Sequence, residues 1–410
     1  MKRLIAYFTL LCIFMPFIPV FGDTPTVTAP TAILIDAVSG KVLYEKNADE
    51  KHYPASTTKV MTGLLAVEHG KLDDVVTVGQ NPSLIEKGSS QIYLIPGEQL
   101  TMEQLLYALM LESANDAAVA IAEHISGSVP EFAKLMNKRA KELGATNTNF
   151  VNPNGLHDDN HYTTARDLAM IAKHAMTLEK FRSVVKEVKY TIPKTNKQDE
   201  RNYITNSNKL IWKTYDKFRY EYATGIKTGY TVKSKQCLVG GAKKGDVELI
   251  SVVMGAEGQN IYSDTTALFE YGFANYENTP VLKKDQIVTS VSVKDVEEKV
   301  NLLAAEDFSL LLSQEERDKV KTDVKTREDI EKPVTKGEAL GELIVSLDGK
   351  ELKRIALLSS VELGTPVKPS FKLNLTWLWL IIPVFLLYRT VVTIQKSKKR
   401  KYKEVSYIKR

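Results

Sequence analysis

Residues 54–59 read Pro54-Ala55-Ser56-Thr57-Thr58-Lys59, and the run 56–69 that follows carries Val60, Met61, Leu64, Leu65 and Val67 at helical spacing before Gly70. A Ser and a Lys three apart at the start of a helix share one face. The helix N-terminus supplies free backbone N–H groups and the positive end of the helix dipole, which favour a developing oxyanion. A neutral Lys in that position can take the Ser proton. Ser-x-x-Lys alone is weak evidence, because it recurs at Ser183/Lys186 and Ser406/Lys409. Two further stretches give it weight. Ser113-Ala114-Asn115 holds the only Ser-x-Asn in the chain and falls at 112–116, between helical patterns at 101–111 and 117–125. There a hydroxyl and an amide can project into a cleft, although Ser and Asn also cap helices well. Lys227-Thr228-Gly229 is the only Lys-Thr-Gly. It precedes a strand pattern at 236–242, so it belongs on a neighbouring edge strand, where Gly229 permits close approach by another backbone.

The surrounding pattern is mixed. A strand at 31–36, a turn with Gly40 and a strand at 41–47 open the region. Helical patterns at 131–143 and 164–176, a hairpin of 236–242 with 247–254, and a helix at 264–275 complete it. Strands at both ends with helices between predict an α/β domain, an antiparallel sheet flanked by helices. From about residue 279 the texture becomes shorter and more alternating. Strands are expected at 287–293, 343–347 and 355–358, the last two joined by a turn at Leu347-Asp348-Gly349-Lys350. This reads as a small β-rich domain acting as spacer or support, with a binding role as the weaker alternative.

Both ends of the 410-residue chain suggest a membrane route. Lys2-Arg3, an apolar run over 4–21 and small residues at Val20 and Gly22 have the layout of a signal peptide. Cys12 lies in that segment, so removing it leaves Cys237 alone and no intramolecular disulfide. At the other end, 375–394 is mostly apolar, with Trp377 and Trp379 at its outer edge and Arg389 inside it. The tail 395–410 carries eight Lys/Arg against one Glu. Together they predict a transmembrane anchor with its basic tail inside, or a helix lying in the interface. With the tail and Lys2-Arg3 set aside, the body is mildly acidic, about −4. That argues against nucleic acid as a partner.

Ser-x-x-Lys, Ser-x-Asn and Lys-Thr-Gly, in this order, form a signature shared by penicillin-binding proteins and class A β-lactamases. The wider contexts Tyr53-Pro54-Ala55-Ser56-Thr57-Thr58-Lys59, Glu112-Ser113-Ala114-Asn115-Asp116-Ala117-Ala118, Asn152-Pro153-Asn154-Gly155-Leu156 and Gly225-Ile226-Lys227-Thr228-Gly229-Tyr230-Thr231 resemble the low-molecular-mass serine D-alanyl-D-alanine carboxypeptidases. The resemblance covers about residues 25–370. It implies a β-lactamase/transpeptidase-like domain at 23–278 after a signal peptide at 1–22. A β-rich domain at 279–371, a transmembrane helix at 372–394 and a cytoplasmic basic tail at 395–410 would follow. It also implies an exported enzyme of the cell membrane that removes the terminal D-alanine from peptidoglycan pentapeptide stems and is inhibited by β-lactams.

In that frame Ser56 matches the acylated nucleophile, Lys59 the general base, and Ser113 and Asn115 the proton relay and the amide contact to substrate. Lys227, Thr228 and Gly229 match the strand that holds the terminal carboxylate, and the backbone N–H groups of Ser56 and Tyr230 the oxyanion hole. No cofactor and no metal is implied. Two departures stand out: Tyr230 occupies a place where relatives often have His, and 255–271 contains no Lys or Arg, where a basic residue commonly follows the last hairpin. His157 and His161 flank Asp158-Asp159-Asn160, which reads as a polar surface loop rather than a metal site. A β-lactamase, a D,D-endopeptidase and a catalytically weak tethered scaffold remain the alternatives.

Overall fold

A computed structural model describes residues 23–86, 88–212, 217–364 and 378–407. The expected signal segment 1–22 lies outside them. Within the described chain two compact units separate, and they do not divide it at a single point. One takes residues up to 282 together with 307–321 and 346–350, and the other takes most of the remainder.

The first unit is built on a five-stranded antiparallel sheet. Its strands are β1 (Thr31–Asp36), β2 (Val42–Lys46), β3 (Ala223–Thr231), β4 (Lys235–Lys244) and β5 (Val247–Ala256), in the order β2-β1-β5-β4-β3. Strand β1, inside the sheet between β2 and β5, is wholly buried. Because side chains alternate along a strand, Ile33 and Ile35 enter one core and Ala32 and Leu34 the other. The first core is covered by helices α1 (Lys59–His69), α2 (Asn115–Ser126) and α3 (Ala165–Ala175), whose apolar faces include Leu64, Leu65, Ile121 and Ile171. The second is closed by α4 (Asn260–Asn275) through Leu268 and Phe269. Glycines let α4 lie close to the sheet: a Cβ on Gly240 would meet Thr265 Cγ2 at 3.0 Å and Phe269 Cζ at 3.1 Å. The hairpin β4–β5 and the edge position of β3 follow the sequence expectation.

Two helix expectations are revised locally. The run 56–69 begins as a 3-10 turn over Ala55–Thr58 and becomes α-helical at Lys59. The run 101–111 is α-helical over Met102–Tyr107 and then widens into a π-turn over Ala108–Glu112. Both irregularities border the motifs, where the chain bends to present side chains.

The β-rich texture beyond 279 has two destinations. Strand Tyr276–Leu282 pairs with Phe308–Ser313 inside the first unit, where the Lys41 ammonium donates to the Leu311 carbonyl at 2.9 Å and pairs with Glu316. The second unit carries a five-stranded sheet of Ile287–Val291, Val300–Ala304, Lys350–Ser359, Ala339–Leu347 and Val320–Thr326, in that spatial order. Leu302, Leu343, Val345, Ile355 and Leu357 form its buried side.

The C-terminal helix runs from Leu378 to Tyr407 and contains Pro383. Of the expected span 372–394, residues 372–377, including Trp377, lie outside the described residues. Among the described residues no helix is long and apolar enough to cross a membrane. The apolar stretch is interrupted at Arg389 and gives way to lysines after Gln395.

Candidate active site

Ser56 sits in the 3-10 turn, which is stapled by the Thr57 hydroxyl donating to the Pro54 carbonyl at 2.6 Å. Ala55 takes a left-handed φ of 48°, a costly conformation for a residue with a Cβ. The loop 152–156 explains how it is held. Gly155, at φ 85°, packs so tightly that a Cβ there would lie 1.8 Å from the Ala55 carbonyl oxygen. The loop is rigid in turn: the Gly155 N–H donates to Asn152 Oδ1 at 2.7 Å, and Thr62 Oγ1 on α1 donates to the Pro153 carbonyl at 2.6 Å.

Lys59 points under this turn and is fully buried. Its Nζ lies 2.9 Å from Ser56 Oγ, 2.6 Å from Asn115 Oδ1 and 2.7 Å from the Asn154 carbonyl oxygen. Burial, and then the nearby Lys227 cation, hold its pKa well below the ordinary lysine value, against a smaller opposing pull from Asp116. The contacts fit a neutral amine. Two of its neighbours are carbonyl oxygens that only accept, consuming two N–H bonds. The third is a hydroxyl, which can donate to the lone pair.

Ser113 follows the π-turn in a left-handed conformation, φ 64° and ψ 29°, and is nearly buried. Its neighbour Asp116 fixes the segment by accepting N–H bonds from Ile92, Leu94 and Ala117. Burial raises the pKa of that carboxyl.

The third motif lies on edge strand β3. Lys227 is buried and donates to the Thr228 carbonyl at 3.1 Å. Desolvation brings its pKa down to about 7, with Glu112 pulling the other way. Gly229 faces the serine turn: a Cβ there would stand 2.8 Å from the Ser56 nitrogen and 2.9 Å from that of Thr57. Tyr230 is exposed.

A cleft of about 740 Å³ joins these elements. Ser56, Ser113, Asn115, Thr228, Gly229 and Tyr230 line it, while Lys59 and Lys227 lie beneath the wall. The sequence reading missed Glu112, Tyr203, Thr205, Ser207 and Trp212 as wall residues. It also gave no role to the Asn154 carbonyl, since no motif of side chains can announce a backbone acceptor.

The loop around His157 and His161 is corrected in part. His157 pairs with Asp159 at the surface, but His161 is buried. The Val151 N–H donates to its Nδ1 at 3.1 Å, so Nε2 carries the proton and donates to Thr58 Oγ1 at 2.8 Å. Burial lowers its pKa to about 4. The imidazole thus props the serine turn from below. Among the described residues no group of three or more His, Cys, Asp or Glu side chains could hold a metal ion, and Cys237 is buried.

Comparison with known proteins fits this arrangement. A model described as D-alanyl-D-alanine carboxypeptidase matches residues 20–258, and one described as penicillin-binding protein 5, C-terminal domain, matches 276–365. The D-alanyl-D-alanine carboxypeptidase DacF of Bacillus subtilis is 40% identical over 331 residues, 79% of this chain and 83% of that protein. DacC of Escherichia coli is 34% identical over 360 residues, 83% of this chain and 86% of its own length. The crystal structure of penicillin binding protein 5 from Haemophilus influenzae superposes with a TM-score of 0.67 at 32% identity, covering 84% of this chain and all of that one. With a family model over more than half its length and relatives matched across both units, this chain belongs to the serine-type D-alanyl-D-alanine carboxypeptidases.

Proposed function

We propose that Ser56 is the nucleophile that removes the terminal D-alanine from peptidoglycan pentapeptide stems, with Lys59 as its base. The observation that carries this is the 2.9 Å contact between a fully buried Lys59 Nζ and Ser56 Oγ, with two carbonyl acceptors occupying the amine's N–H bonds. The neutral amine takes the hydroxyl proton as Oγ attacks the carbonyl of the penultimate D-alanine. The oxyanion is received by the backbone N–H groups of Ser56 and Tyr230, a reading supported by the close approach of Gly229 to the Ser56 nitrogen. The proton held by Lys59 passes through the Ser113 hydroxyl to the departing amine nitrogen, so D-alanine leaves and Lys59 is neutral again. Water then attacks the acyl-enzyme, Lys59 again accepting the proton, and Ser56 is regenerated. Splitting peptide cleavage in this way replaces one difficult step by two easier ones. Asn115 orients both Lys59 and the substrate amide, and Thr228 and Lys227 receive the terminal carboxylate.

A β-lactam acylates the same serine but leaves its bulky remnant tethered in the cleft, blocking water. The chain is exported by way of 1–22, with 23–278 as the catalytic domain and 279–371 as support. It is tethered through 372–394, with the tail 395–410 on the cytoplasmic side. The exposed run of Ile382, Val384, Phe385, Leu386 and Leu387 on the C-terminal helix supports an apolar anchor. The test is a paired assay on the full-length protein. Pentapeptide should release free D-alanine with turnover, while a labelled penicillin should acylate rapidly and leave slowly in a chase. Fast catalytic penicillin hydrolysis without D-alanine release would reject the reading.

A further inference from the structure

We infer that Ser207 is a specificity-determining residue that, with Thr228, grips the free C-terminal carboxylate of the substrate; this rests on the function proposed above. Ser207 Oγ lies 2.6 Å from Thr228 Oγ1, and both line the cleft that contains Ser56. No lysine or arginine is among the described residues lining that cleft, and the one carboxylate on its wall, Glu112, already accepts the Thr205 N–H at 3.3 Å. A terminal carboxylate entering here meets hydroxyl donors. Two adjacent hydroxyls suit it: once the single hydrogen bond between them opens, each can present its one proton to a carboxylate oxygen, and hydrogen bonds to an ionised acceptor are roughly twice as strong as neutral ones. The positive charge comes from below, since Lys227 donates to the carbonyl of Thr228 itself.

Ser207 is also firmly placed. It is exposed between two buried residues, Asn206 and Asn208. Its N–H donates to the Leu111 carbonyl at 3.1 Å, which ties it to the π-turn that presents Ser113. The Asn206 side chain donates to the carbonyls of Val185 and Glu187, and the Trp212 indole donates to the Asn206 carbonyl at 2.8 Å. A serine held this way loses little further freedom on binding, so its contact appears in affinity and selectivity.

The experiment compares the full-length wild type with Ser207→Ala and Ser207→Thr on two peptides, one ending in free D-Ala-D-Ala and one in its C-terminal amide. For the free acid, Ser207→Ala should lower kcat/KM roughly ten- to a hundred-fold, the scale of one hydrogen bond to a charged group. The preference for acid over amide should fall about ten-fold, and Ser207→Thr should restore most of both. An equal loss on the two peptides, or no loss, with the wild type active would overturn the inference while leaving the proposed function standing. A wild type that releases no D-alanine would overturn both.

Discussion

Gly229→Ala tests the close approach on which the site depends. The added methyl would meet the Ser56 nitrogen at 2.8 Å, the Thr57 nitrogen at 2.9 Å and the Pro54 carbonyl oxygen at 3.1 Å, all backbone atoms that cannot swing aside. Ordinary contact begins near 3.4 Å, so strand β3 and the serine turn must part by about 0.6 Å. Gly155, locked against Ala55, and the Thr57–Pro54 staple keep the turn from yielding, so the strand retreats. The N–H groups of Ser56 and Tyr230 proposed to receive the oxyanion are then pulled apart. A misplacement approaching 1 Å costs on the order of 10²-fold in rate. Acylation by a labelled penicillin in stopped flow and D-alanine release from pentapeptide should both fall by about that factor. The thermal unfolding midpoint, measured alongside, confirms that the variant is folded. The control is Gly245→Asn, at a turn with φ 58° and nothing within 4 Å of an added Cβ, a conformation Asn tolerates; it should leave both rates unchanged. A folded Gly229→Ala enzyme acylating within about three-fold of wild type would refute the reasoning.

Lys59→Arg puts a permanent cation where the neutral amine serves as base, so acylation should fall roughly 10²–10⁴-fold; near-normal acylation would point to a different proton acceptor. Lys227 has a folded pKa of about 7 against 10.5 for an ordinary lysine, so between those values the unfolded chain binds the extra proton and stability rises with pH. Lys227→Met should flatten that slope and raise the unfolding midpoint by roughly 2–4 °C near neutral pH, while D-alanine release collapses. A lower midpoint with an unchanged slope would contradict it. For His161, held at about 4 against 6.5, the window lies on the acid side: stability is lost as pH falls from 6.5 toward 4. Calorimetry across that range should show the wild type losing stability and a His161→Asn variant showing a shallower loss.

The parts of this site visible in the sequence are those whose chemistry sits in side chains at short spacing. Ser56 and Lys59 announce each other three residues apart. Ser113/Asn115 and Lys227/Thr228/Gly229 are unique in the chain, and β1, the β4–β5 hairpin and the edge position of β3 followed from alternation and turn residues. What stayed hidden depends on long-range approach. The Asn154 carbonyl reaches Lys59 across 95 residues, and Ser207 meets Thr228 because an asparagine-anchored turn brings it there. His161 reads as a surface loop residue by composition, since only the folded chain shows Thr58 and Val151 on either side of it. The strand Phe308–Ser313 joins the first unit by pairing with Tyr276–Leu282, a partnership that local alternation does not encode.

The central claim is that Ser56 carries the acyl group. Full-length protein labelled with a penicillin, digested and mapped by mass spectrometry, should show one adduct on the peptide containing Ser56. A folded Ser56→Ala variant should show none. An adduct that survives in that variant, or that maps to Ser113 or Ser183 in the wild type, would contradict the account.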